Sequence, residues 1–428
     1  MNNTTRKTQY GIKIDFERSH GSYLYDKISD NEYLDFFGMY ATLALGYNHP
    51  IFNSSDFKNR ILKIASCKIV NNEILSDEAQ SFDKTFTDYV SLNGKFSHFH
   101  YCCTGALAIE AAVKTAIDYK GFENPRIISF GGSFHGINGY GGFFTERIGG
   151  PGERLNGFPT QLTSNSSSSL WKSFFSRNRQ WPKFNNPIIT YKNGRLKENN
   201  DDVRLVLQQV EDCVKINNSQ IAGILVEPIQ CTFGDKYFSE TFFIGLRKIA
   251  DQYDIPLIFD EIQIGFGGTG KVWYFEHLPI EPDIVIFGKK VQLAGIMVKE
   301  KFAKIFSTPI RLEVTWDSNI IDMLRGEYIV KAYKEYNILD NVNLMSIRLR
   351  KGLEKTRNLK NIRNSGLLFA FDFENEILRN KFTKKLFENK MLCNKSGKIT
   401  VRFRPNLSVS SSEIDKALEI IKRVDNSL

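Results

Sequence analysis

Three apolar runs in this chain each end on ionisable side chains. IAGILVEP (221–228) leads to Glu227, IPLIFDE (255–261) to Asp260 and Glu261, and DIVIFGKK (283–290) to Lys289 and Lys290. Short β-branched runs bounded by Pro, Gly or charge read as buried parallel strands, and such sheets bind ligands beyond the carboxyl ends of their strands. Chain order therefore predicts two carboxylates and an amine along one sheet edge. An amine beside an acid in a partly desolvated crevice is the chemistry of a Schiff base to a carbonyl cofactor.

Such a cofactor, if of pyridine type, also needs a phosphate cradle and a carboxylate at its ring nitrogen. TGALAIEAAVK (104–114) places Thr104, Gly105 and Ala106 where a strand passes into a helix, and small residues there expose N–H groups to a phosphate. Many helices begin with small residues, so the motif is informative only beside Asp260 and the lysines. A strand-end lysine is most often solvated, but burial here would depress its pKa. Phe134, after RIISF, is placed to stack on a ring, with a core phenylalanine as the plainer alternative. Arg402, in ITVRFRP, suits a substrate carboxylate if it faces the crevice and an exposed ion pair if it does not.

Two look-alikes are set aside. GFGGTGK (265–271) has P-loop spacing, but Val272 stands where the magnesium-binding hydroxyl belongs and no helical pattern follows, so it reads as a glycine-rich loop. His98, His100 and Cys102 would share one strand face, yet no further ligand follows at metal-site spacing, and no metal is expected.

The elements that must position these residues alternate between strand and helix from about 95 to 300, the rhythm of a mainly parallel, helix-covered α/β sheet. HFHYC and RIISF read as strands, and DDVRLVLQQVEDCVK as a helix. GSYLYDKISDNEYLDFFG reads as two short antiparallel strands about a DN turn. Beyond 320, helices mix with short strands (LLFAFDF, ITVRF), and a final helix opens on the Ser410/Glu413 capping box. The expected division is an N-terminal segment, 1–50, associated with a smaller α+β domain at 320–428, and a large domain at 51–319 carrying a surface insertion at 148–180.

At 428 residues the chain can bury a large core, and 42% hydrophobic with 25% charged residues is ordinary for a soluble globular protein. No run reaches the roughly 20 apolar residues of a membrane span, and the N-terminus lacks a signal-peptide core. Six scattered cysteines fit a reducing, cytoplasmic setting. The net charge of +9 is dispersed, which argues against a nucleic-acid partner.

From YLDFFGMYATLALGYNHP (33–50) to VRFRPNLSVS (401–410), and above all in TGALAIEAAVK, LIFDEIQIGFGGTG and FGKK, the chain resembles the class III (ω-) aminotransferases, most of all the L-lysine 6-aminotransferases. The resemblance implies a fold type I enzyme that uses pyridoxal 5′-phosphate and forms a homodimer with shared active sites. It implies Lys290 as the Schiff-base lysine, preferred over Lys289 because it lies five residues before Gly295. By the same resemblance Asp260 pairs with the ring nitrogen, Gln263 lies near the phenolic oxygen and Phe134 stacks. Gly105 and Ala106 hold the phosphate, joined by Thr315 of a partner subunit. Glu227 and Arg402 match a switch pair in which the acid masks the arginine until an α-carboxylate arrives.

One residue departs from that pattern. Ile137 follows the FHG triplet where the lysine enzymes carry a carboxylate-binding arginine, so the donor is expected to be lysine or a lysine-related amine, with Arg147 or Arg154 as substitutes for the missing charge. A 2-oxo acid such as 2-oxoglutarate is the expected acceptor. The alternatives are a decarboxylase- or racemase-like reaction on the same cofactor, a non-catalytic homologue, or an ATPase suggested by the P-loop look-alike. Retention of Glu227 and Arg402 favours transamination, intact Lys290 and Asp260 weigh against a non-catalytic homologue, and Val272 weighs against the ATPase.

Overall fold

The computed structural model describes residues 10–69, 74–148, 154–156, 181–192, 194–197 and 199–428. Its centre is a seven-stranded sheet. In spatial order the strands are His98–Cys102, Ala294–Val298, Ile284–Phe287, Leu257–Asp260, Ile221–Val226, Arg126–Phe130 and Lys183–Phe184. Every run expected to be a strand of this sheet is one. Neighbours pair in parallel except around Ala294–Val298, which is antiparallel to the strands on both its sides. That short antiparallel strand was not anticipated, because AGIMV opens on two small residues and follows a lysine pair.

The strands are apolar throughout because both faces are covered. Ile224, Val226, Leu257, Phe259, Val285 and Phe287 enter one core with Phe242, Phe243 and Leu246. Ala222, Leu225, Ile258, Ile284 and Ile286 enter the other with the helix Gly105–Lys120. That helix turns Ala108, Ala111, Ala112 and Ala116 to the sheet, which lets its backbone approach closely. Each large side chain so buried contributes about 1.5–3 kcal/mol, so a strand carrying charge in mid-run would not be tolerated. The ionisable residues are therefore displaced to the strand ends.

After the helices Ile320–Glu335 and Ile338–Leu353, the chain forms a four-stranded antiparallel sheet in the order Lys360–Ser365, Leu368–Asp372, Thr400–Phe403, Asn394–Ser396. The N-terminal strands Tyr23–Asp26 and Asn31–Asp35 are antiparallel about the expected turn, and Asn31–Asp35 is extended in parallel by Met391–Leu392. The last helix, Ser411–Asn426, is capped as expected: Ser410 Oγ accepts from Glu413 N (3.2 Å) and Glu413 Oε2 accepts from Ser410 N (2.6 Å). Residues 265–271 form turns and bends, followed by the single 3₁₀ turn Tyr274–His277 and by no α-helix, the structure of a glycine-rich loop. Of the expected insertion at 148–180, only the backbone of Ile148 and Arg154–Asn156 is described. The side chains of Arg147 and Arg154 lie outside the described residues.

Candidate active site

At the carboxyl ends of the parallel strands lies a cavity of about 190 Å³ walled by Gly105, Ala106, Phe134, Glu227, Asp260 and Gln263 among the expected residues. His135, Gly136, Thr232, Ile262 and Lys289 complete it. Lys290, Arg402, Thr315 and Ile137 are not among its walls.

Lys290 was the lysine expected at the cavity, and the one that lines it is Lys289. A 3₁₀ turn, Lys289–Val291, follows the strand, and Lys289 takes a φ of +54°, a left-handed conformation that a non-glycine residue holds only when its surroundings enforce it. This turn sends Lys289 into the cavity. Lys290 points beneath the glycine-rich loop, where its Nζ donates to Gln263 O (2.7 Å) and Gly265 O (2.9 Å). A Cβ on Gly268 would meet Lys290 Cε at 3.1 Å, so the loop closes tightly over that side chain. Lys290 thus ties the loop together. Burial, with Arg402 nearby, lowers the Lys289 amine to about 8, partly offset by Glu227 and Asp260. Lys290 falls to about 7, through burial and then the charge of Lys289.

Asp260 ends its strand with both oxygens engaged: Ile262 N donates to Oδ1 (3.1 Å), and His135 Nδ1 lies 2.8 Å from Oδ2. His135 is fully buried, and its backbone N–H donates to Thr145 Oγ1 (2.8 Å). Sequence reasoning assigned this histidine no role, although it is the centre of the FHG triplet. Phe134 beside it is 38% exposed and lines the cavity.

Glu227 accepts from Phe134 N (3.1 Å) and Cys231 N (3.0 Å). Burial, and then the like charge of Asp260, push its carboxyl up to about 8 against those two donors. Arg402 is buried and donates from Nη1 to Cys231 O (2.7 Å). No ion pair joins the two, so the expected masking contact is absent here; each holds the Cys231 backbone instead. Glu261, the second acid of its run, is structural: it accepts from Phe275 N (2.9 Å) and from Tyr274 N (2.5 Å). Thr315 is exposed on a loop, and Ile137 is 40% exposed.

The cavity offers the three fittings of a phosphorylated pyridine aldehyde. Thr104 Oγ1 accepts from Leu107 N (3.3 Å) and opens the helix at Gly105, where a Cβ would come within 3.1 Å of Ile262. Asp260 is held from two sides. Gln263 Oε1 is buried and without a hydrogen-bond partner, and it belongs to a residue of the cavity wall. An unsatisfied buried acceptor costs about 1–3 kcal/mol, which a bound polar group nearby would relieve.

The chain matches the family model described as aminotransferase class-III over residues 4–140 and 162–424. The L-lysine-epsilon aminotransferase of Mycobacterium tuberculosis is 30% identical over 96% of this chain and 91% of that protein. The acetylornithine aminotransferase of a Synechocystis species is 28% identical over 97% of this chain and 90% of that one. Among solved structures, the lysine aminotransferase of M. tuberculosis in its internal aldimine form superposes with a TM-score of 0.87 at 28% identity, covering 100% of this chain and 97% of that one.

Proposed function

Because the chain belongs to the class III aminotransferases and is a pyridoxal-phosphate-dependent transaminase, we propose how its own residues serve that reaction and which amine they serve. The donor is the terminal amino group of lysine or a lysine-related amine, and the acceptor is a 2-oxo acid such as 2-oxoglutarate. The observation that carries the assignment of roles is the meeting of the Lys289 amine and the Asp260 carboxylate in one cavity at adjacent strand ends.

Pyridoxal phosphate, when bound, supplies the electron sink that makes the C–H bond beside the donor nitrogen acidic. Gly105 and Ala106 would hold its phosphate with backbone N–H groups at the helix N-terminus, and Phe134 would face its ring. Gln263 would lie near its phenolic oxygen. Asp260, oriented by His135 Nδ1, would hold the proton of the ring nitrogen. Lys289 Nζ takes the role that the family resemblance had given to Lys290. With its amine lowered to about 8, a fraction is neutral near neutral pH and can accept the substrate proton and return it. Arg402 receives the α-carboxylate of the acceptor, held in place by its bond to Cys231 O, while Glu227 holds Cys231 N from the other end.

A homodimer, in which Thr315 reaches the partner's phosphate site, accounts for an exposed threonine outside this chain's own cavity walls. A cytoplasmic setting agrees with free cysteines throughout the chain. The division into 1–50, 51–319 and 320–428 has support in the pairing of Asn31–Asp35 with Met391–Leu392.

The test is glutamate formation from 2-oxoglutarate by the holoenzyme with L-lysine, Nα-acetyl-lysine, Nε-acetyl-lysine and simple diamines. Activity with donors whose terminal amine is free, and none with Nε-acetyl-lysine, is expected. Turnover of Nε-acetyl-lysine would overturn the terminal-amine reading. Ordinary kcat/KM with free lysine would show that Ile137 has not changed the donor.

A further inference from the structure

Outside the cavity, the sheet-edge strand carries a second cluster. His100 and Cys102 lie two residues apart on one face of His98–Cys102. Asp317, from the loop before the helix Ile320–Glu335, meets them from the far side of the sequence. His100 Nε2 stands 3.4 Å from Asp317 Oδ2, and ligand atoms of all three residues lie within 4.8 Å of one another. All three are buried, at 8%, 1% and 1% exposure for His100, Cys102 and Asp317. His100 Nε2, Asp317 Oδ1 and the neighbouring Ser318 Oγ are buried without hydrogen-bond partners. Two of these unpartnered atoms, His100 Nε2 and Asp317 Oδ1, belong to the cluster itself, and a bound ion would satisfy them.

The donor set decides with what. A thiolate, an imidazole and a carboxylate together select a borderline-soft divalent ion, and tetrahedral zinc is the ion they most often hold. Two N or O ligands at about 2.0–2.1 Å from a tetrahedral ion stand about 3.4 Å apart, which is the His100–Asp317 separation. The Cys102 sulfur lies within 4.8 Å of both, close enough for a small side-chain adjustment to reach a Zn–S distance of about 2.3 Å. His98, the third residue of the strand face, is turned away, its Nε2 3.1 Å from Glu300 Oε2.

We propose that His100, Cys102 and Asp317 bind one zinc ion per chain. Three bonds form, Zn–N, Zn–S and Zn–O. The Cys102 thiol proton, and any proton on Asp317, pass to solvent as hydration waters leave the ion, and one water keeps the fourth position. The thiolate, carboxylate and dication sum to zero charge, so the filled site is inexpensive to bury. The ion cross-links the sheet edge to the loop that carries Thr315, in which Val314 N already donates to Asp317 Oδ2 (2.7 Å). The metal site itself does not depend on the assignment of the amine donor.

The test uses the holoenzyme, stripped with a chelator, desalted, reloaded with zinc alone and desalted again. Elemental analysis should find about one zinc per chain, and zinc-edge X-ray absorption should find one sulfur at about 2.3 Å beside N/O ligands. Cys102→Ser should lose the ion and the sulfur signal, whereas His98→Ala should keep both. Zinc should raise the melting temperature of the wild type and not of Cys102→Ser. A wild type that retains no zinc, or retains it without a sulfur neighbour, overturns the proposal, as does a Cys102→Ser protein that still holds it. The first two outcomes are read on the wild type and need no variant to fold.

Discussion

Glu227 and Arg402 grip the same residue from its two ends instead of each other: Cys231 N donates to Glu227 Oε1, and Cys231 O accepts from Arg402 Nη1. The arginine is therefore anchored by one nitrogen while its Nε has no partner, and the acid is satisfied without it. An arginine so held is ready for a carboxylate. Arg402→Gln should lower kcat/KM for 2-oxoglutarate by about 10–100-fold, the loss of one charge-assisted pair of about 1.5–3 kcal/mol. Single-turnover rates with an amine lacking an α-carboxylate should change little. An equal loss in both half-reactions would show that Arg402 serves the fold and not the acceptor.

The two lysines should separate cleanly. Lys289→Ala is expected to abolish transamination, a loss of at least about 10²–10⁴-fold, with an unchanged melting temperature. Lys290→Ala removes the donor shared by Gln263 O and Gly265 O and should cost about 1–3 kcal/mol of stability, with turnover reduced but measurable. A stable, inactive Lys290→Ala beside an active Lys289→Ala would return the Schiff base to Lys290.

His135 acts through Asp260. His135→Phe keeps an aromatic ring and removes the Nδ1 contact to the carboxylate, so kcat should fall by up to about 10²-fold while donor KM moves little. The bound cofactor's absorbance should shift as its ring nitrogen loses a firmly placed partner. An unaltered spectrum together with unaltered kcat would confine His135 to packing.

Glu261 makes stability depend on pH. Burial raises its carboxyl to about 8, against the N–H groups of Tyr274 and Phe275, with Glu276 raising it further and Lys290 opposing. The folded state thus holds a proton that the unfolded chain releases near 4.5. The associated stability is full below that pH and is lost as pH rises through about 8. Denaturant unfolding of wild type and Glu261→Gln between pH 5 and pH 8 should show a fall in the wild type that the variant lessens. Parallel curves would remove Glu261 as the source.

The sequence by itself determined the frame of this protein. A strand covered on both faces must be apolar along its length, so IAGILV, LIFD and IVIF were legible as strands, and the charges that such strands exclude had to gather at their ends. Glu227 and Asp260 share one cavity for that reason, with Gly105, Ala106, Phe134 and Gln263 brought to it by the helix start and turns beside those strand ends. Tertiary structure alone decided which of Lys289 and Lys290 lines that cavity. Adjacent residues point in different directions, and the direction was set by a left-handed turn at Lys289 that only the surrounding packing can enforce. The same holds for His135 on Asp260 and for Asp317 beside His100 and Cys102. Contacts between distant segments leave no periodicity in the chain, because they arise from where the folded backbone returns and not from any local preference of the residues it brings together.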